Sequence, residues 1–281
     1  MMTTTVTGAT IRADLLGLGL IGPGLPSWDA AQAVLRGEAA ADTAERTVVP
    51  APMRLPPAER RRAGAAIRIA LAAAEAACTH AEADPATLAT VFTSSSGDGA
   101  NCHALCETLA AEDPAARLVS PTRFTNSVHN AASGYWHIAV GSPEASTSLC
   151  GFDGSFAAGL VAALTQLRPD AAPVLLVASD TPYPEPLHAT RPLPDTMGVA
   201  LLLAPAGPGE ARCWLGAALL PAERAGAPTR CRDAGLEALR QAIPAAQALP
   251  LLEALARRLP AVVVLPVSPA QSLRLVLEFP A

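Results

Sequence analysis

The sequence has no lysine: all 20 basic residues among its 281 are arginine. Aromatic residues are scarce at 4% and charged residues make up only 16%. With 25 acidic residues the formal net charge is −5, so the basic stripe and interleaved aromatics of a nucleic-acid surface are missing. No uncharged apolar run reaches the roughly 18 residues a membrane helix needs. The best candidate, "LLGLGLIGPGL" at 15–25, is short and broken by Gly and Pro. It also lacks the basic start and small-residue cleavage site of a secretory signal. These absences predict a soluble cytoplasmic protein without a membrane span. The six cysteines are scattered irregularly in a large chain and read as free thiols. "CHALC" at 102–106 puts two thiols four residues apart beside His103, yet no second ligand cluster joins them. They read as buried cysteines of a helix, and no metal or cofactor is expected.

What is abundant is small and apolar. Hydrophobic residues reach 51%, enough for a sizeable core and an apolar subunit surface. With few aromatics, Ala and Leu must do the packing, which suits closely approaching helices and strands buried on both faces.

Along the chain, "TIRADLLGLGLIGPG" predicts a buried strand turning at 22–24. "SWDAAQAVLRG" predicts a helix with Ser27 as N-cap and Gly37 as its stop. Residues 40–57 read as loop, and 56–78 as one long helix with Pro57 in its first turn. "ERRR" at 59–62 then falls at a helix start, where arginines oppose the helix dipole. "LATVFTSSS" predicts a strand, "NCHALCETLAA" a helix, and "NSVHNAASGYWHIAVG" another helix with Gly134 as a close-packing position. The strand "EASTSLC", the helix "GSFAAGLVAALTQL" and the buried strand "APVLLVASD" follow. "GVALLLAP" and "RCWLGAALLP" read as paired strands. After Ala204 comes a Pro/Gly-rich break, then two helices ("DAGLEALRQAI", "LLEALARRL") and two strands ("AVVVLPV", "LRLVLEF"). Strands alternating with helices indicate an α/β layered fold.

One stretch carries the look of chemistry: "STSLCGFDGSFAAGL" at 146–160. A strand reaches Cys150, breaks at Gly-Phe-Asp-Gly and becomes a helix, the layout of a nucleophile at a strand-to-helix turn. A helix N-terminus favours a thiolate, whereas Asp153 nearby disfavours one. Asp153 itself reads as the N-cap of the following helix. On balance the residues favour Cys150 as a small buried hydrophobe, with the nucleophile as the alternative. A serine-hydrolase reading fails because "GFDGSFAAG" is not G-x-S-x-G.

The order of elements from about 11 to 205 resembles the N-terminal half of β-ketoacyl synthases, the thiolase-fold condensing enzymes. "SPTRFTNSVHNAASGYWHIAVGSP" resembles the family's "SP…N…AG" helix, and "STSLCGFDGSFAAGL" its nucleophile turn. "RPLPDTMGVALLLAP" resembles the return to the sheet. The resemblance implies a thiolase-like α/β fold with a largely complete N-terminal half, 1–205, and a strongly reduced C-terminal α/β remnant, 206–281. If Gly154 and Gly159 match the glycines after the family's nucleophile, the nucleophile position falls on Gly151. Cys150 is one residue early, and on a strand that points a side chain to the opposite face. No histidine follows His188, where the family keeps its two catalytic histidines. Nor does the tail carry the "GFGG"-type loop that offers an oxyanion donor.

The resemblance therefore implies a non-catalytic, chain-length-factor-like subunit without a catalytic residue of its own. It would pair with a full-length catalytic ketosynthase and work on acyl chains carried by acyl carrier protein, as in aryl polyene, polyketide or fatty-acid-type biosynthesis. It further places Thr122, Arg123 and Phe124 near the partner's acyl tunnel, with His129, Asn130 and Gly134 at the interface, and Asp153 and Gly154 at the turn and helix cap. The rival readings are a shortened ketosynthase or acyltransferase using Cys150, and a stand-alone acyl-binding scaffold.

Overall fold

The computed structural model describes residues 10–169, 172–207 and 213–280. In chain order the elements are β1 (Ile11–Ile21), α1 (Trp28–Arg36), α2 (Pro57–Arg62), α3 (Ala65–Ala81), β2 (Ala89–Ser94), α4 (Gly99–Leu109), α5 (Pro121–Thr125) and α6 (Ala131–Val140). Then follow β3 (Ser146–Cys150), α7 (Ser155–Gln166), β4 (Val174–Asp180), α8 (Leu187–Thr190), β5 (Met197–Pro205) and β6 (Cys213–Pro221). The chain ends in α9 (Ala222–Ala225), α10 (Ala234–Ala242), α11 (Leu249–Arg257), β7 (Ala261–Ser268) and β8 (Gln271–Glu278).

The eight strands form one sheet in the order β3-β2-β4-β5-β1-β6-β8-β7. β2 runs parallel to β3 and β4, and the remaining pairs are antiparallel. Each face carries its own core, so the central strands are apolar on both sides. Along β5, Val199, Leu201 and Leu203 join the cluster beneath α7 and α11, while Ala200 and Leu202 join the one beneath α3 and α6. β4 is buried along its whole length.

Small residues set the spacing between sheet and helix. A Cβ built on Gly19 would sit 2.2 Å from the Ala73 carbonyl oxygen, and one on Gly17 2.5 Å from that of Ala77. α3 therefore lies on β1 at backbone contact, which the Ala-rich composition anticipates.

Ser27 caps α1 through Ala30 N–H and Gly37 ends it at φ 78°, as expected. Other expectations need correction. The segment 56–78 is two helices, because Ala63 and Gly64 are extended between α2 and α3. Glycine is costly inside a helix, and the freed carbonyls find partners: Asn126 Nδ2 donates to Arg62 O at 3.0 Å and Arg68 Nε to Ala63 O at 2.9 Å. The arginines of "ERRR" accordingly fall in the last turn of α2, where they complement the helix dipole. The helix expected from Asn126 begins at Ala131, since Asn126 caps α5. β5 and β6 are not paired, because β1 lies between them. α4 has no buried residue: Cys102 is half-buried and Cys106 exposed. The break expected after Ala204 falls mostly outside the described residues.

Candidate functional site

The strand-to-helix turn lies at the sheet edge, where, among the described residues, β3 pairs only with β2 and Cys150 stands opposite Ser94. Gly151 (φ −124°, ψ 20°) donates its N–H to Ser94 O at 3.3 Å, and Phe152 donates to Ser95 O at 3.2 Å. Phe152 has φ 52°, a left-handed value that bulky side chains avoid. Residues 152–154 form one 3-10 turn and α7 starts at Ser155. Close packing fixes this geometry from behind. A Cβ on Gly154 would lie 2.1 Å from the Val267 carbonyl oxygen, and one on Gly159 2.6 Å from Thr93 Cγ2.

What occupies the turn differs from expectation in two respects. Cys150 is exposed rather than buried. Its Sγ lies 3.7 Å from Ser94 Oγ, and a serine hydroxyl is no base for a thiol. Asp153 does not cap α7, which has no side-chain cap. Its Oδ1 instead accepts from Arg191 Nη2 at 2.6 Å. The same guanidinium lies 3.4 Å above the centroid of the Phe152 ring, in cation–π geometry. One arginine thus holds both residues that follow Gly151. Phe152 is still 61% exposed.

At the ends of β2 and β4 is a cavity of only about 40 Å³, lined by Thr93, Ser94, His129, Leu149 and Asp180 among others. That is space for one or two waters, not for an acyl chain. Its floor is a polar lock. Asp180 is buried, and its two oxygens accept from Ser95 N at 2.7 Å and Ala245 N at 2.8 Å. Burial pushes this carboxyl above the usual range, and the Ser95 and Ala245 hydrogen bonds partly offset the rise. Tyr183 OH bonds Ser95 Oγ and Ser96 Oγ, each at 2.7 Å. The lock ties the loop behind Cys150 to the segment at 244–248 and marks Asp180 as a positioning residue.

The other expected site residues lie on α5, on α6 and between them, and Thr122 and Arg123 line a cavity with Arg61, Arg62 and Thr181. Ser120 caps α5, which carries half-buried Thr122 and exposed Arg123 and Phe124. His129 and Asn130 are exposed before α6, and Asn130 O accepts from Ser133 Oγ at 2.9 Å. Gly134 is exposed, and a Cβ there would meet nothing within 4 Å, so it is not a close-packing position within this chain. Phe124, Val128, Ile138 and Phe152 are each more than half exposed. His137 is tied to Thr90 Oγ1 at 3.3 Å and to Ser142 O at 3.1 Å.

The family model for the beta-ketoacyl synthase N-terminal domain matches residues 28–258. The chain belongs to the β-ketoacyl synthase family. Its fold is that of several solved members. A chain of the Xenorhabdus doucetiae ketosynthase ApeO in complex with its chain length factor ApeC is 22% identical, with TM-score 0.69. The match covers 94% of this chain and 99% of that one. The ishigamide ketosynthase/chain length factor is 14% identical over 96% and 100% of the two chains, with TM-score 0.69. In the AntDE:AntF assembly, a type II polyketide synthase acyl-carrier protein with its ketosynthase, a chain reaches TM-score 0.74 at 12% identity over 97% and 100%. No curated protein matches the sequence.

Within the synthase fold, Phe152, Arg191 and Asp180 were not visible as site residues in the sequence. The "RPLPD" motif contains Arg191, and that was the available signal. For Phe152 there was none, because an aromatic residue is a poor candidate for positive φ.

Proposed function

We propose that this chain is the non-catalytic, chain-length-factor-like subunit of a heterodimeric β-ketoacyl-acyl carrier protein synthase. A full-length ketosynthase supplies the cysteine and histidines, and acyl carrier protein brings the growing chain of a polyene, polyketide or fatty-acid-type product. The observation that carries this reading is the occupant of the turn. Directly after the expected nucleophile position, Phe152 holds φ 52° under the Arg191 guanidinium. The expected nucleophile position, Gly151, offers no side chain. The absence of histidine after His188 supports the same conclusion.

Two features favour a partner at this edge. β3 is an edge strand paired on one side only among the described residues, and such an edge ordinarily templates another strand; Phe124, Val128, Ile138 and Phe152 are exposed apolar side chains. On this reading Thr122, Arg123 and Phe124 face the partner's acyl tunnel, with His129, Asn130 and Gly134 in the interface. Residues 1–205 form the synthase N-terminal-like part and 206–281 the reduced remainder. Among the described residues no helix is long and apolar enough to cross a membrane, consistent with a cytoplasmic complex.

The exposure of Cys150 favours one rival, in which this thiol accepts the acyl group. Co-expression with a ketosynthase encoded nearby, followed by size-exclusion chromatography and assay of the complex, decides between them. Heterodimer formation and full activity with Cys150→Ala are expected. Activity lost in that variant would establish the catalytic rival, and no complex at all would leave a stand-alone acyl-binding scaffold.

A further inference from the structure

At the opposite edge of the sheet from β3, a cavity of about 300 Å³ lies between the loop before α10, α11 and the start of β7. Arg230 and Arg232 line it from the loop and Arg257 from the last turn of α11, while Leu259 and Val262 give it an apolar rim. The volume stands at the small end of the range of about 300–1,000 Å³ usual for ligand sites. Arg230 and Arg232 are exposed and Arg257 is half-buried. None of the three guanidiniums has an ion pair or a hydrogen bond among the described residues. Arg257 complements the helix dipole where it stands, but the two loop arginines have no such role.

The acceptors beside them are already committed. Glu253 is the one carboxylate in the wall among the described residues; it is buried, and its two oxygens accept from Arg232 N at 3.2 and 3.3 Å. Burial raises this carboxyl above the usual range, and the Arg232 N–H and the charges of Arg232 and Arg257 offset part of the rise. Asp233 caps α10, accepting from Gly235 N and Leu236 N at 2.8 and 3.0 Å. Three guanidiniums against one carboxylate leave the wall a surplus of two positive charges, in a chain whose net charge is −5. The backbone that carries the loop arginines is pinned. Thr229 N donates to Val264 O and Thr229 Oγ1 accepts from Val264 N, both at 2.9 Å. Cys231 N donates to Glu237 Oε2 at 2.9 Å. With residues 229, 231 and 232 all held and the guanidiniums unspent, the cationic donors are preorganised.

We propose that this cavity binds a phosphate monoester, its phosphate held by Arg230, Arg232 and Arg257 and a compact apolar body resting on Leu259 and Val262. A phosphate presents several outer oxygens and more than one charge, which match more than one guanidinium fork, where a single carboxylate fills one. Leu259 and Val262 are 54% and 48% exposed, so an apolar body beside the phosphate removes their surface from water. The site lies across the sheet from the proposed heterodimer edge and does not depend on that reading.

The probe is phenyl phosphate, titrated calorimetrically into the full chain at constant ionic strength, with inorganic phosphate and phenol as separate titrants. Saturable one-to-one binding of phenyl phosphate is expected, with inorganic phosphate several-fold weaker and no binding of phenol. Arg230→Gln and Arg232→Gln alter exposed side chains and leave the backbone hydrogen bonds of the loop in place, so the fold is kept. Each is expected to weaken phenyl phosphate about tenfold or more. Arg61→Gln, in the separate cavity beside α5, should leave the affinity unchanged. Absence of saturable binding by the unaltered chain, or unchanged affinity in both loop variants, would overturn the proposal. So would a loss in Arg61→Gln as large as theirs, which would place the phosphate elsewhere. Equal affinity for inorganic and phenyl phosphate would overturn the apolar contact with Leu259 and Val262.

Discussion

Ser148→Pro tests the edge-strand argument most directly. Thr90 N donates to Ala145 O at 3.0 Å and Gly151 N to Ser94 O at 3.3 Å. With the parallel register of Thr90 opposite Ser146 through Ser94 opposite Cys150, residues 145, 147, 149 and 151 face β2. Ser146, Ser148 and Cys150 therefore turn their backbone groups outward. Proline at 148 removes one outward N–H and its ring obstructs an approaching strand, while the ladder to β2 keeps all its donors. A strand residue that exchanges two hydrogen bonds, each worth about 0.5–1.5 kcal/mol net, puts about 1–3 kcal/mol at stake. That corresponds to a loss of about 5- to 150-fold in affinity for the ketosynthase. The assay is the Kd of the reconstituted complex by sedimentation equilibrium. Ser148→Ala serves as control for the side-chain bond to Ser133 Oγ at 3.1 Å. Thr147→Pro, which breaks the inner ladder, should destabilise the chain itself. An unchanged Kd for a Ser148→Pro chain that keeps its circular dichroism and Tm would refute pairing through β3.

Much of the layered fold was legible because local patterns agreed with it. The cap and stop of α1, the continuous apolar run of β4 and the existence of β7 and β8 as strands follow from Ser27, Gly37 and alternating or unbroken hydrophobicity. What escaped was non-local. β5 and β6 are adjacent strands in sequence, and neighbours usually pair, yet β1 from the chain's start lies between them. The break at Gly64 depends on Asn126, far along the chain, accepting the role of partner to Arg62 O. At the site, the existence of the turn was legible and its occupants were not. Burial of Cys150 was inferred from its apolar strand, and nothing local marks a strand as the sheet's edge. Asp153 looked like a cap because Asp three residues after a strand often is one, but Arg191 reaches it from 38 residues away. The Arg191 guanidinium adds a second charge to the bond, which a cap to a backbone N–H does not have.

Three further outcomes follow. Gly19→Val should cost about 3 kcal/mol or more and lower the Tm by several degrees, because its Cβ would press on backbone, not on a flexible side chain. A Tm within 1 or 2 °C of the parent, on the order of the smallest such shifts, would show that α3 can withdraw from β1. Glu237 is held at about 2 chiefly by its hydrogen bonds to Arg240, against a usual value of 4.5. A depressed carboxylate contributes stability above its unfolded value and loses it as pH falls through the folded one. Urea unfolding between pH 4.5 and 2 should therefore show a shallower pH dependence in Glu237→Gln, which loses about 1–2 kcal/mol at pH 6 after solvent screening; parallel profiles would refute this. The last outcome concerns the thiols. Burial pushes Cys78 and Cys213 up to about 12 and also raises Cys231, whereas Cys106 and Cys150 are exposed. Brief iodoacetamide treatment of the free chain, read by peptide mass spectrometry, should modify Cys106 and Cys150 and spare those three. Cys106 is on α4 and Cys150 on β3. A strand laid along that edge must cover the outward groups of residue 150, so the ketosynthase complex should protect Cys150 while Cys106 continues to react. Equal labelling of Cys150 in the free chain and in the complex would place the partner elsewhere, and the empty nucleophile position would then need another explanation than catalysis supplied across this edge.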